Sequence, residues 1–317
     1  MSRLLKRIVL RKSPYEHGRI ETDLTGVFRK IYDREPNPEE ATTLGQLKVV
    51  PGNYASAFRA VIGSFDRQVL NTPFAVRCSG ADVSFIRVED VMLAADAADR
   101  TVSYVLLMGQ PYEPHLFRFF KEWVKPGMTL VDLGANIGFY SMVGARLVGP
   151  SGKVFSFEPN SENCRLILLS KEKNHFDNVV LYPVAASDRR GYGLFSTYIG
   201  ANGGLTPTSE EQLLRPSCIV VPTFPLQDLI QERVDLIKID TEGAEGLVIN
   251  GARSLIEQYR PVVISEFSME MLPRVSKMSG HKYLSYFQGL GYELNVISRT
   301  EEALVPITSI DGFLQNY

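Results

Sequence analysis

The sequence predicts an α/β fold built on a doubly wound, mainly parallel sheet, preceded by an N-terminal α-helical extension. Three observations carry this. From Tyr112 onward, short buried apolar runs alternate with longer amphipathic stretches, the pattern of parallel strands joined by crossover helices. The run ending at Leu133 passes into Gly134-Ala135-Asn136-Ile137-Gly138, a strand, a glycine turn and a helix start. Between Thr22 and Leu70 the apolar residues instead recur at helical spacing.

Residues 3–12 are basic, with an apolar stretch that Lys6 and Arg7 interrupt, so this segment is not expected to act as a signal-peptide core. The segment reads either as a short membrane-surface helix or as a solvated basic tail, and the tail is favoured. Residues 1–72 are assigned to a helical module, with Leu24, Val27, Phe28 and Ile31 on one face and Phe58, Val61, Ile62 and Phe65 on another. Pro36 and Pro38 break and restart the helix between them. This module resembles a small helical unit of unknown role in bacterial proteins. It serves either to dock a partner or glycan or to cap the domain that follows, and the cap is favoured.

Residues 73–111 read as a connecting segment of short strands, with a turn at 97–100. Residues 112–317 are expected to form the α/β domain. Its strands are expected at 129–133, 153–158, 178–184, 235–240 and 261–267, and its helices near 113–124, 137–147, 161–173, 244–258 and 281–289. The stretch from Gly191 to Pro222 exceeds an ordinary connection. Strands at 192–199 and 218–222 flank a flexible turn at 200–204, making either a lid or substrate wall or a plain hairpin with a loose loop.

At 317 residues the chain can hold two domains. A net charge of −2 gives no electrostatic case for nucleic acid. Cys78, Cys164 and Cys218 lack metal-ligand spacing and suggest a reduced, cytoplasmic setting. No run is apolar enough to span a membrane.

The chemistry concentrates around the glycine turn. Gly134 and Gly138 let backbone approach a ligand, and Glu158, ending the next strand, suits the two hydroxyls of a ribose. Together they describe a pocket for an adenosine-containing cofactor. The spacing is neither the dinucleotide fingerprint nor a P-loop. Asp132, two residues before the first glycine, would repel a pyrophosphate and attract the ammonium and sulfonium of S-adenosylmethionine (SAM). An NAD-dependent oxidoreductase is therefore the weaker alternative, and a non-catalytic binding module is a third.

Tyr112-Glu113-Pro114, Lys125-Pro126-Gly127, Asp132 to Tyr140, Phe157-Glu158-Pro159-Asn160, and Lys238-Ile239-Asp240-Thr241-Glu242-Gly243-Ala244-Glu245 resemble, in order, the FkbM-family SAM-dependent methyltransferases. Gly251-Ala252 and Pro261 to Glu266 continue the likeness, which spans roughly the C-terminal two-thirds of the chain; Thr241 stands where the family commonly has valine. The resemblance implies a class I, Rossmann-like methyltransferase closed by an antiparallel hairpin at 291–297 and 303–307. It implies SAM as cofactor, with Asp132, Gly134, Ala135, Asn136 and Gly138 around its methionine part, Glu158, Pro159 and Asn160 at the ribose, and Ala185 and Ala186 beside adenine. Glu113 takes a cofactor-side or pocket-ordering role.

Asp240 ends the fourth strand, facing the ligand crevice, and Lys238 shares its face. Methyl transfer to a hydroxyl needs alignment and a base for the departing proton. Asp240 or Glu242 fits that role, with His115 and His281 as alternatives. Asp240, Glu242 and Glu266 could ligate Mg²⁺, but Glu266-Phe267 stands where metal-dependent relatives carry Asp-Asn, so no metal is expected. The expected reaction is O-methylation of a sugar, glycan or secondary metabolite, and oligomeric state stays open.

Overall fold

The computed structural model describes residues 7–12, 38, 41–42, 75–77, 83–96, 99, 101–199, 202–215, 217–298 and 303–317. The helices expected between 22 and 70 lie outside the described residues, apart from one fragment. At the centre is an eight-stranded sheet. Its strands are β1 (Arg7–Lys12), β5 (Thr129–Leu133), β6 (Lys153–Phe157), β7 (Val179–Tyr182), β12 (Leu236–Ile239), β13 (Val262–Phe267), β14 (Glu293–Ile297) and β15 (Leu304–Pro306). They lie in the order β15-β14-β1-β13-β12-β5-β6-β7. All neighbours are parallel except β14 and β15.

The strands are apolar on both faces because each face is roofed by helices. Leu130, Leu236 and Val9 enter one core, and Val131, Ile237, Ile8 and Leu10 enter the other. Around the sheet lie α1 (Val102–Leu107), α2 (Pro114–Trp123), α3 (Phe139–Val148), α4 (Ser161–Asn174), α5 (Glu210–Leu213), α6 (Leu226–Leu229), α7 (Glu245–Gly251), α8 (Arg253–Tyr259), α9 (Met271–Ser276), α10 (Gly280–Gly289) and α11 (Ile310–Gln315). Asn160 starts α4 by accepting from the Glu162 N–H, an ordinary N-cap. The single helix expected at 244–258 is two, α7 and α8, meeting at Ala252.

Residues 7–12 form neither a surface helix nor a solvated tail. Ile8-Val9-Leu10 is fully buried as β1, paired in parallel with both β13 and β14. Three successive apolar residues are what a strand covered on both faces needs, and the flanking basic residues hid that run. The expected 1–72 module therefore includes a strand of the central sheet. The C-terminal antiparallel hairpin forms, but β1 separates it from β13.

Ahead of the main α/β elements, β2 (Ala75–Arg77), β3 (Val83–Val88) and β4 (Val91–Asp96) make a small antiparallel sheet, as the short-strand pattern implied, but residues 102–107 of the same expected segment are helix α1. Beyond β7, β8 (Ala185–Ala186), β9 (Gly191–Ile199), β10 (Asn202–Thr206) and β11 (Cys218–Phe224) make another, ordered β10-β9-β11-β8. Part of the expected flexible turn at 200–204 is thus strand: Asn202 opens β10, and Gly203 and Gly204 lie within it. No helix among the described residues is long and apolar enough to cross a membrane.

Candidate functional site

From β5 the chain moves outward through β6 and β7, then returns to place β12 on the opposite side of β5. The order reverses between β5 and β12, and at such a switch point the carboxyl ends of parallel strands open a crevice. Register pairs Asp132 on β5 with Lys238 on β12 at this point.

Asp132 is 4% exposed. Its Oδ2 accepts from the Ser141 hydroxyl at 2.7 Å, and Ser156 donates in turn to Ser141 at 2.7 Å. Its Oδ1 is buried without a hydrogen bond, 3.8 Å from the Lys238 ammonium. Burial raises the Asp132 pKa, against the opposing pull of Lys238. Lys238 also donates to Asp240 Oδ2 at 3.0 Å and lies 5.1 Å from the centre of the Tyr140 ring. Tyr140 donates to Glu113 at 2.9 Å, which ties Glu113, in left-handed backbone just before α2, to the same cluster.

The glycine turn is stitched to β6, since Gly134 and Ala135 N–H groups both reach the Phe157 carbonyl at 3.0 Å. A Cβ on Gly134, at φ +75°, would stand 1.9 Å from the Asp240 carbonyl oxygen. A Cβ on Gly138, at φ +88°, would stand 2.9 Å from Ile167. Close packing of the chain on itself already demands both glycines, a reason the sequence reading did not supply. Asn136, at φ +53°, turns its carboxamide oxygen to the Ile137 N–H.

Glu158 bridges this turn to α4, accepting from Asn136 N–H at 2.7 Å and Asn160 N–H at 2.9 Å. It is buried, and burial pushes its pKa up to about 7 even though those bonds favour its charge. Ala185 and Ala186 are buried and pair with Thr223 and Phe224 of β11.

The raised Glu158 pKa has a consequence for stability. The native state holds a proton that the unfolded chain releases near 4.5. This contribution is therefore full below that pH and is lost as pH rises through about 7. Asp132 and Glu245, also raised by burial, act with the same sign. Ligand-free protein should lose stability between pH about 5 and 8, and Glu158→Gln should flatten that slope by roughly 3 kcal/mol at most. Denaturant melts across this range check it; an unchanged slope in the variant would refute it.

Asp240, Glu242 and Glu266 converge, with one carboxylate oxygen from each within 4.8 Å of the others. Glu266 arrives because β13 lies beside β12, with Ile239 opposite Ser265. Glu242 sits at φ +54° between two close backbone approaches. A Cβ on Gly204 of β10 would stand 2.8 Å from Glu242 Cβ, and a Cβ on Gly243 would stand 2.7 Å from the Met271 carbonyl. Buried Glu245 ties the turn together, its Oε1 accepting from Thr241 N–H, Thr241 hydroxyl and Gly243 N–H, each at 3.1 Å.

The two histidines stand apart from this cluster in their bonding. His115 is half-buried in the first turn of α2 and has no hydrogen bond or ion pair with the described residues. His281 is exposed, bonded to Ser285 and 3.6 Å from Asp311. Sequence reasoning missed Tyr140, Ser141 and Ser156, and gave Lys238 only a shared face. The opening turn of α3, two residues past Gly138, was the available signal.

A parallel sheet with a carboxylate-lined crevice at its switch point and a glycine turn beside it defines a class I, Rossmann-like methyltransferase. A methyltransferase FkbM domain model matches residues 132–294, just over half of the chain. The chain belongs to the FkbM family of SAM-dependent methyltransferases. It is also similar to a crystal structure of methyltransferase FkbM from Methylobacillus flagellatus KT, with 14% identity, TM-score 0.36, 84% of this chain and 55% of that one covered. Over 88 residues it is 31% identical to a protein-L-isoaspartate O-methyltransferase of Thermotoga maritima, covering 27% of each. Over 33 residues it is 58% identical to a ribosomal RNA large subunit methyltransferase E of Nitrosomonas eutropha, covering 10% of this chain and 16% of that protein. The chain thus spans about a quarter or less of the length of these curated relatives.

Proposed function

We propose that the chain is a SAM-dependent O-methyltransferase acting on a hydroxyl of a sugar, glycan or secondary metabolite. The observation that carries this is the buried Asp132 oxygen at the switch point, which lacks a hydrogen-bond donor. A ligand ammonium beside a sulfonium is the donor and charge that such an oxygen favours. Asp132, Gly134, Ala135, Asn136 and Gly138 would hold the methionine end. Glu158, which accepts from the Asn136 and Asn160 N–H groups and from the Asn163 side chain, keeps acceptor capacity for a ribose hydroxyl, with Pro159 and Asn160 beside it. Ala185 and Ala186 leave room for a flat base, and Glu113 orders the pocket through Tyr140.

When bound, SAM supplies a methyl group on an already activated sulfur. The chain's own work is then to align the acceptor and remove its proton. Asp240 is the preferred base, held by Lys238 and less buried than Asp132, with Glu242 second. His115 remains a weaker alternative. The β9–β10 hairpin, seated against Glu242, supports a substrate-wall role for the insertion.

A second reading follows from the acid trio: a divalent cation could acidify the hydroxyl there. The Lys238 ammonium, 3.0 Å from Asp240, already brings positive charge to that carboxylate and favours the metal-free reading. The net charge of −2 likewise favours a small or glycan acceptor over nucleic acid. Calorimetry should detect binding of SAM, and labelled SAM with host extract should label a hydroxyl-bearing small molecule or glycan, insensitive to EDTA. Absence of SAM binding would end this reading; label in RNA would replace the acceptor class, and EDTA inhibition would select the metal.

A further inference from the structure

We propose that Lys238 sets how strongly the site distinguishes the methyl donor from the spent cofactor. The proposal rests on the cofactor reading above and concerns the charge of its sulfur. SAM carries a cationic sulfonium, whereas S-adenosylhomocysteine (SAH) carries a neutral thioether. Lys238 is 4% exposed and lies between two carboxylates, 3.0 Å from Asp240 Oδ2 and 3.8 Å from Asp132 Oδ1. Its ammonium is retained on a third side by the Tyr140 ring, whose hydroxyl is itself bound by Glu113.

Within Asp132, Lys238 and Asp240 the formal charges sum to one negative. A cationic sulfur entering this crevice meets attraction from Asp132 and Asp240, with Glu242 and Glu266 beside Asp240, and repulsion from the Lys238 ammonium, in a setting where water screens little. The neutral sulfur of SAH meets neither. Lys238 thereby offsets part of the preference that the acids alone would give to SAM, and it keeps the donor from binding too tightly relative to product. Because it acts by its charge from beside Asp132 and Asp240 and takes no part in the transfer itself, it is a positioning residue.

Calorimetry at pH about 8, where protons compete least with a ligand cation, tests this with SAM and SAH as probes. For Lys238→Met the ratio of SAH to SAM dissociation constants should rise about tenfold or more. Lys238→Arg, which keeps the charge, should stay near the wild-type ratio. A Lys238→Met ratio within twofold of wild type overturns the proposal, as does an arginine variant that shifts as far as methionine. Should Lys238→Met fail to fold, the more exposed partner still decides the matter. Asp240→Asn should move the ratio the opposite way, and an unchanged ratio there also overturns it. If the wild-type protein binds neither compound, it is the cofactor reading that fails.

Discussion

Gly134→Ala should remove about 3 kcal/mol or more of stability and leave little folded protein. The new methyl would stand 1.9 Å from the Asp240 carbonyl oxygen, a backbone atom that no side-chain rotation can move away. Overpacking of this kind costs about 1–3 kcal/mol. Holding alanine at φ +75° adds about 1–2 kcal/mol. Gly109→Ala is the matched comparison, because Gly109 has φ +65° and nothing lies within 4 Å of where its methyl would stand. It should lose only the conformational part. Urea denaturation of both variants checks this, and equal losses would show that the contact between β5 and β12 is looser than the geometry implies.

Asp240→Asn should lower methyl transfer by roughly 100-fold or more while the protein still folds and binds SAM. Its side chain is less buried than that of Asp132, and Lys238 retains Asp132 nearby, so no ammonium is left without an anion. Single-turnover transfer from labelled SAM to the identified acceptor measures the effect. An unchanged rate would remove Asp240 as base. If Glu242→Gln alone abolished turnover, the role would pass to Glu242.

Much of the sheet was legible because burial on both faces writes itself as short apolar runs. The parallel strands β5, β6, β7, β12 and β13 fall within a residue or two of their expected positions. β1 was not legible: its three apolar residues sit among basic ones, and only distant strands supply the partners that make it a strand. The split at Ala252 escaped notice because helical periodicity continues across it. At the site, the carboxylates were readable as strand-end acids. The Lys238 contact with Asp132 was not, since it depends on which strands become neighbours across the switch point. Gly134 was read as room for a ligand, whereas its methyl-sized space is already claimed by Asp240. Ala185 and Ala186 were read through a family resemblance alone, and their pairing with β11 arises from an insertion whose own strands were only partly foreseen.

The position of β1 has a consequence for how the molecule is made. Its two neighbours, β13 and β14, begin at Val262 and Glu293, about 250 residues or more beyond Lys12. A ribosome delivers this strand before either neighbour, so its berth exists only once β13 and β14 have emerged. Its apolar triplet must therefore wait through synthesis and close the sheet late, across a long loop whose ordering opposes closure.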